Sequence, residues 1–307
     1  MTVDPARPRT DAGITRVGLV AKTHLRDAAT VVVQIASWLT DRRVEPVFEV
    51  ETARLAGTPA SARTSTRDNM PHQVDLVLVL GGDGTLIGMA DRIAEARVDV
   101  PILGVNFGSL GFLTEITLPE LYPALESALE GTAAFDRRMM LRSRTVRGGR
   151  VFAEKVVLND VVITKGALAR IINLSVSVGD EFVTNIRADG LILSSPTGST
   201  AYNLAAAGPI VHPDIDALLL TPIAPHSLAN RPIVLPASSE IQVRPLVDGA
   251  NEEVYVTFDG QSGFQLQGDD VVTVARAESP LRLVRASRAY YEVLRRKLRW
   301  GERVRSV

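Results

Sequence analysis

A short apolar run that leads directly into a glycine-rich turn constrains this chain more than any other feature. Residues 74–80 (VDLVLVL) are typical of a buried parallel strand. The turn 81–85 (GGDGT) follows, and residues 86–96 then have the periodicity of a helix. Glycine has no Cβ, so a turn of this kind leaves backbone N–H groups open to an anion. The sequence therefore predicts a phosphate site at Gly81, Gly82, Gly84 and Thr85.

Two familiar nucleotide-binding motifs do not fit this turn. A G-x-G-x-x-G fingerprint fails because Gly82, Gly84 and Gly88 are spaced one residue too far, and a P-loop would need a lysine that the turn lacks. The turn does contain Asp83, whose carboxylate would repel a phosphate unless a metal ion or a substrate hydroxyl lay between them. We therefore expect Asp83 to be a general base for phosphoryl transfer, the alternative being a plain Asp-Gly turn.

Composition narrows the class of protein. A chain of 307 residues with 46% hydrophobic residues is long enough for two domains, and a net charge of -1 predicts no nucleic-acid surface. The absence of cysteine excludes disulfides and thiolate metal sites, and the four histidines have no metal-ligand spacing, so metal ligands cannot be read from the sequence. Neither a signal peptide nor a membrane span is recognisable, so we expect a cytoplasmic protein without membrane contact.

Strands alternate with helices in the first part of the chain. Further strands are predicted at 14–20, 44–50 and 100–105, and further helices at 26–39 and after a capping box formed by Thr117 and Glu120. Residues 51–73 have little periodicity and are predicted to be a mobile loop. This alternation predicts a parallel α/β layer that binds ligands at the carboxyl edge of its sheet.

After about residue 135 the pattern changes to short strands separated by turns. The clearest hairpin joins residues 144–147 to residues 150–153 through two glycines. A basic helix at 289–300, with Tyr291, Leu294 and Leu298 on one face, is expected to pack on the α/β layer. Further strands are predicted at 156–164, 171–178, 182–186, 190–194, 233–235, 240–244, 253–258 and 271–276. The predicted parts are a disordered tail (1–13), an α/β domain (14–135 plus 285–305) and a β-rich domain (136–284).

Polar residues interrupt two apolar strands of the second part. Asn159 and Asp160 are either a strand-end turn or a pair that binds ribose hydroxyls and an adenine edge, because such residues are rare inside strands. Arg187 and Asp189 are either a surface ion pair or part of a site.

A hydroxyl-rich turn at 194–200 leads to a tyrosine. The turn is either a helix cap or a grip on a nucleobase, in which Tyr202 stacks while Thr197 and Thr200 bond to the base edges. Both interpretations are compatible with the sequence.

Taken together and in this order, these motifs resemble those of NAD kinases. The likeness covers nearly all of the chain and includes residues 110–113 (LGFL), 231–234 (RPIV), 259–261 (DGQ) and 298–301 (LRWG). The glycine turn alone is less specific, because diacylglycerol, sphingosine and 6-phosphofructo-kinases share it. The resemblance implies a parallel, Rossmann-like α/β N-terminal domain and a mostly β, sandwich-like C-terminal domain, with the last helix packed on the first domain.

The resemblance also implies the reaction and its participants. Asp83 would take the proton of the adenosine ribose 2′-hydroxyl of NAD, which attacks the terminal phosphoryl of ATP or inorganic polyphosphate. A divalent metal, Mg²⁺ or Mn²⁺, would neutralise the phosphate charge, and the subunits would form a homodimer or homotetramer. The implied NAD-binding residues are Asp83, Gly84, Asn159, Asp160, Arg170, Arg187, Asp189, Thr197, Thr200, Ala201, Tyr202, Asn203, Leu204, Ala205, Ala224 and Gln261.

Members of the family often have Asn-Glu where this chain has Asn159-Asp160, so the carboxylate here has a shorter reach. Two alternatives stay open. One is a lipid or sugar-phosphate kinase with the same glycine turn, although the hydroxyl-rich turn at 194–200 offers no apolar entry for an acyl chain. The other is a non-catalytic dinucleotide sensor, which would have no need of Asp83.

Overall fold

The computed structural model describes residues 13–22, 26–108, 110–166, 171–227, 229–246 and 253–300. The chain divides into two compact units, one formed by Met1–Asp136 with Arg282–Val307 and the other by Arg137–Leu281. The predicted disordered tail at 1–13 lies outside the described residues, apart from Gly13. Within the described ranges, no helix has both the length and the apolar character to cross a membrane.

The first unit is a mostly parallel sheet packed against helices, which confirms the predicted α/β class. Its strands are β1 (Arg16–Ala21), β2 (Glu45–Glu49), β3 (Thr64–Ser65), β4 (Leu76–Gly81), β5 (Ile102–Asn106), β6 (Phe135–Arg138) and β19 (Leu281–Val284). Its helices are α1 (Arg26–Asp41), α2 (Val50–Ala56), α3 (Asp83–Ala96), α4 (Leu121–Leu129) and α6 (Tyr290–Leu298). The strand order is β3-β2-β1-β4-β5-β19-β6. Ala21 of β1 lies opposite Leu80 of β4, so the residues that follow these two strands meet at one edge of the sheet.

The central strand β4 is buried along its whole length, as expected for a strand that is covered on both faces. Leu78 and Leu80 join a core that includes Ile35 and Leu39 of α1. Each fully buried leucine stabilises the fold by roughly 1.5–3 kcal/mol. This packing fixes the end of β4, where the glycine turn begins.

Residues 51–73 are not one continuous loop, so the predicted mobile loop is wrong. The segment contains most of α2, then β3, and then a 3₁₀ turn at Met70–His72. Glu49 caps α2 by accepting the N–H of Thr52 at 2.9 Å, and Met70 is fully buried against Gly18. The sequence pattern misses α2 because a seven-residue helix makes only about two turns.

The second unit is built from antiparallel strands. They are β7 (Leu141–Arg147), β8 (Arg150–Val157), β9 (Asp160–Lys165), β10 (Ile172–Val178), β11 (Glu181–Ala188), β12 (Gly190–Ser194), β13 (Ala217–Ile223), β14 (Ile233–Pro236), β15 (Glu240–Pro245), β16 (Val254–Phe258), β17 (Ser262–Leu266) and β18 (Val271–Arg276). They form two six-stranded sheets, ordered β11-β10-β15-β18-β7-β8 and β14-β13-β12-β9-β16-β17. Apolar side chains of both sheets share one core, which confirms the sandwich-like architecture, and a short helix α5 (Tyr202–Ala205) follows β12.

The strand predictions for this unit were partly right. The β7–β8 hairpin is confirmed, with Gly148 and Gly149 both at positive φ (55° and 75°), as its two-residue turn requires. A single strand over 156–164 is wrong, because β8 ends at Val157 and β9 begins at Asp160, with a corner between them. The pattern also misses β13, whose continuous apolar run contains a proline, and β17, which contains a glycine.

The last helix, α6, belongs to the first unit, as the resemblance implies. Its buried residues are Val293 and Leu294, whereas Tyr291, predicted on the buried face, is 61% exposed. Leu294 is buried as predicted and Leu298 is half-buried, so the predicted face is wrong at Tyr291 and misses Val293, because nine residues with few apolar side chains define a stripe poorly. Just before it, Arg288 donates to the Glu115 carbonyl at 2.8 Å and to Glu120 at 2.9 Å, which anchors the start of the helix.

Candidate functional site

Asp83 is the first residue of α3, directly after the Gly82 cap, and its carboxylate is half-buried. Its Oδ1 accepts hydrogen bonds from the N–H groups of Leu113 (3.1 Å) and Thr114 (2.9 Å) and from the Thr114 hydroxyl (3.0 Å). Its Oδ2 accepts one hydrogen bond from the described residues, from the Phe112 N–H at 2.8 Å. A carboxylate oxygen has about two lone pairs, so Oδ2 retains room for one more donor.

Glycine at position 111 makes this arrangement possible. A Cβ at Gly111 would overlap the Asp83 carboxylate and the Thr114 hydroxyl, so any side chain here would displace the loop or the aspartate. Gly108, three residues earlier, has no atom within 4 Å of an added Cβ. The requirement for glycine is therefore local to the contact with Asp83. The sequence pattern did not indicate it.

A lysine that the sequence analysis did not select lies beside the glycine turn. Lys22 follows β1, and its N–H donates to the Leu80 carbonyl at 3.0 Å. A Cβ at Gly81 would be 3.4 Å from the Lys22 Cβ and 2.9 Å from the Thr85 hydroxyl. Lys22 is exposed and makes no ion pair with the described residues. The sequence could have indicated Lys22, because it directly follows the first strand and the ends of adjacent parallel strands share the ligand-binding edge.

Asn159 and Asp160 lie at the corner between β8 and β9, and both are buried. The carboxylate of Asp259 fixes this corner by accepting the N–H groups of Leu158 (2.8 Å), Asn159 (2.8 Å) and Asp160 (2.9 Å). Burial, and then the negative charge of Asp259, raise the pKa of Asp160 to about 7. The corner therefore holds a carboxyl group that changes charge near neutral pH.

The hydroxyl-rich turn lies against the same corner. Ser194 pairs with Asp160 across β12 and β9, and its hydroxyl donates to the Asn159 carbonyl at 3.1 Å. A Cβ at Gly198 would overlap that carbonyl, so the turn needs glycine there. The Thr197 hydroxyl is buried and has no hydrogen-bond partner among the described residues. A buried hydroxyl without a partner is costly, which favours a ligand atom as its partner.

A second group of predicted residues lies at the other end of β12. The Asp189 N–H donates to the Ile223 carbonyl, next to Ala224, and its carboxylate pairs with Lys165 at 2.9 Å. The ion-pair partner is thus Lys165, whereas the sequence suggested Arg187. Asp189 is five residues from Ser194, the partner of Asp160, so this group lies about 17 Å from Asp160 at the usual rise per residue.

The other predicted positions differ in accessibility. Tyr202 is 44% exposed, which leaves its ring open for stacking. Asn203 is fully buried, and its amide bonds to the Ser199 and Pro209 carbonyls and to the Thr221 hydroxyl, so this side chain braces the turn. Arg170 lies outside the described residues. The exposed positions are Gly84, Arg187, Ala205, Ala224 and Gln261, and the half-buried ones are Gly82, Thr85, Thr200, Ala201 and Leu204.

Both units match models of known domains. Residues 17–133 match the ATP-NAD kinase N-terminal domain, and residues 158–286 match the ATP-NAD kinase C-terminal domain. The chain is 49% identical over 289 residues to the NAD kinase of Geotalea daltonii, which spans 94% of this chain and 99% of the relative. The chain belongs to the ATP-NAD kinase family. The NAD kinase of Desulforamulus reducens is 44% identical over 286 residues, spanning 92% of this chain and 96% of the relative.

Two solved structures have the same fold. Yeast NADH kinase complexed with NADH has a TM-score of 0.85 at 24% identity, covering 98% of this chain and 94% of that chain. An NAD kinase from Archaeoglobus fulgidus in complex with ATP has a TM-score of 0.73 at 23% identity, covering 93% and 100%. The family membership makes the chain an NAD kinase-type phosphotransferase, which favours this function over the lipid-kinase and sensor alternatives.

Proposed function

We propose that Asp83 is the general base with which this chain transfers the terminal phosphoryl of ATP to the 2′-hydroxyl of the adenosine ribose of NAD. The observation that carries the proposal is the unequal use of the two carboxylate oxygens. Oδ1 holds three hydrogen bonds that fix the side chain, and Oδ2 holds one. Oδ2 therefore takes the proton as the hydroxyl attacks.

The phosphates of ATP bind at the glycine turn. Gly82 and Gly84 let phosphate oxygens approach the main chain at the start of α3, and Thr85 adds a hydroxyl. Gly81, the buried last residue of β4, leads into this turn. Lys22 supplies the cation that the turn itself lacks, reaching the phosphates from the neighbouring strand end.

NAD recognition rests on the two groups at the ends of β12. Asn159, Asp160, Thr197 and Tyr202 bind the adenosine, with the tyrosine stacked on the base. Asp189 binds on the nicotinamide side, about 17 Å away along the strand. Gly84, Thr200, Ala201, Leu204, Ala205, Arg187, Ala224 and Gln261 complete the proposed contacts, and Asn203 is left out because its amide is already engaged.

A divalent metal fits this site only as a partner of ATP. The described residues contain no group of three His, Cys, Asp or Glu side chains that could hold an ion, so they do not form a protein cage. An ion carried by nucleotide phosphates needs only one or two protein oxygens, and the turn offers the Thr85 hydroxyl. When bound, the ion would neutralise charge on the transferring phosphoryl group.

The test is an assay of the full chain with NAD, ATP and Mg²⁺, read by an NADP-specific dehydrogenase. We expect NADP to accumulate only when all three are present. Replacing ATP by polyphosphate and NAD by NADH in separate reactions defines the donor and acceptor range. NAD binding without turnover would support the sensor alternative, and ATP consumption with a lipid or sugar phosphate but not with NAD would refute the proposal.

The family resemblance also leads us to infer a homodimer or homotetramer in the cytoplasm. Sedimentation equilibrium of the full chain gives the number of subunits, and a monomer at working concentration would refute this inference. Cell fractionation checks the location in the same way.

A further inference from the structure

The carboxylate of Asp259 accepts the backbone N–H groups of the Asn159-Asp160 corner, as backbone carbonyls do in a helix or a sheet. The corner residues Leu158, Asn159 and Asp160 have successive N–H groups, and all three point to this one side chain at 2.8–2.9 Å. The Asp259 N–H donates in return to the Asp160 carbonyl at 3.0 Å. Four hydrogen bonds thus join the corner to the β16–β17 turn.

The backbone conformation of Asp259 also indicates that its hydrogen bonds to the corner hold the turn in place. It has a positive φ of 50°, in the left-handed region that residues other than glycine seldom adopt. Asp and Asn are the side chains that tolerate this region best, and such strain persists only where the surrounding contacts enforce it. The turn is held in this form by the hydrogen bonds to the corner.

Few charged groups among the described residues lie near the Asp160 carboxyl. Asp160 is buried, with only 5% of its surface exposed. The neighbouring strands β12 (GLILS) and β16 (VYVTF) carry no charged residue, and the turn at 194–200 contributes hydroxyls. Tyr255 is the one titratable group on these strands, and its hydroxyl bonds to Glu253. Asp259 is therefore the nearby charge that acts on Asp160.

We propose that Asp259 is a positioning residue that fixes the Asn159-Asp160 corner and keeps Asp160 as a neutral acid, which donates a hydrogen bond to an acceptor atom of the adenosine. This inference rests on the proposed NAD site. An ionised Asp160 can only accept hydrogen bonds, so it would lose that contact. The pKa of Asp160, raised to about 7 by burial and by Asp259, places this change near neutral pH.

The experiment measures NAD affinity by titration calorimetry at about pH 6, 7 and 8. The neutral fraction of an acid with a pKa of about 7 falls roughly tenfold across this range. We expect the NAD dissociation constant of the wild type to rise about tenfold over the same range, and we call this rise the pH step. Asp160→Asn should abolish this step. Asp259→Asn, which keeps the backbone preference but removes the charge, should move the step to lower pH and weaken binding at neutral pH.

Asp270→Asn is the matched control. Asp270 is likewise an aspartate of the second unit that accepts a backbone N–H, that of Gln267, but it is fully buried and its partner is Arg147. It should bind NAD with the wild-type pH step whatever its effect on stability. A purely structural role of Asp259 would lower the melting temperature without moving the step.

The outcomes separate this inference from the proposed function. A wild type that does not bind NAD at any pH refutes the NAD site itself. A wild type that binds NAD with the same affinity at all three pH values refutes only the role of Asp160 protonation. An unmoved step in a folded Asp259→Asn refutes the role of Asp259. If that variant does not fold, carboxyl NMR of the wild type decides, because titration of Asp160 near 4 overturns the inference and titration near 7 supports it.

Discussion

Each unit contains an aspartate whose carboxylate accepts hydrogen bonds from three successive backbone N–H groups. The two aspartates differ in the groups that surround them. Asp83 begins a helix, holds residues 112–114, and keeps one lone pair on Oδ2. Asp259 lies in a strained hairpin turn, holds residues 158–160, and faces a second carboxyl group, Asp160. The same hydrogen-bonding arrangement thus orients the proposed general base in the first unit and the proposed positioning residue in the second.

This comparison assigns different kinetic effects to the two units. Changes around Asp83 should act on the rate of phosphoryl transfer, because they alter the group that moves the proton. Changes around Asp259 and Tyr202 should act on NAD affinity.

The largest effect is expected for Asp83→Asn, which removes the base. A general base contributes about 10²–10⁴-fold, so kcat should fall by that factor while the NAD dissociation constant changes little. Thr114→Val is the control, since it deletes a hydrogen bond to Oδ1 but keeps the base. Steady-state kinetics with both variants check this, and near wild-type turnover in Asp83→Asn would remove Asp83 from the role.

The next effect is expected for Gly111→Ala. The added methyl group overlaps the Asp83 carboxylate and must shift it. A displacement of about 1 Å can cost about 10²-fold in rate, so we expect a fall in kcat of that order with NAD affinity retained. Gly108→Ala, where the methyl group meets open space, should turn over at the wild-type rate. Equal rates in the two variants would show that the position of Asp83 does not limit catalysis.

The sequence predicted the two units and their motifs but not the long-range contacts of Asp83 and Asp259. The apolar strand β4 and the Gly148-Gly149 hairpin carry strong local signals, and these two elements were placed correctly. The contacts of Asp83 and Asp259 join residues about 30 and about 100 positions apart, and no local periodicity encodes them. The residue types of the motifs were therefore readable, and the function of Gly111 and Asp259 was not.

In the second unit, Tyr202→Ala should weaken NAD binding by about tenfold and leave kcat at saturating NAD near the wild-type value. Stacking of a base on an aromatic ring contributes about 1–3 kcal/mol, and the exposed ring of Tyr202 is free to stack. Calorimetry with NAD measures the change. An unchanged dissociation constant would place Tyr202 outside the base pocket.

The smallest effect is expected for Lys22→Ala, which should raise the KM for ATP by up to about tenfold. A hydrogen bond from a charged group contributes roughly 1.5–3 kcal/mol, and water partly replaces an exposed lysine. Lys22→Arg should restore much of the affinity, and Lys155→Ala, on β8 of the second unit, should have no effect. A KM for NAD that rises instead would assign Lys22 to the acceptor.

The most direct measurement compares Asp83→Asn and Asp259→Asn, using the single-turnover rate of NADP formation and the NAD dissociation constant on the same preparations. The division of roles predicts a rate lower by about 10²–10⁴-fold with near wild-type affinity for the first variant. For the second it predicts weaker, pH-shifted NAD binding with a rate at saturation within about tenfold of the wild type. The reverse pattern, or the same pattern in both variants, would contradict it.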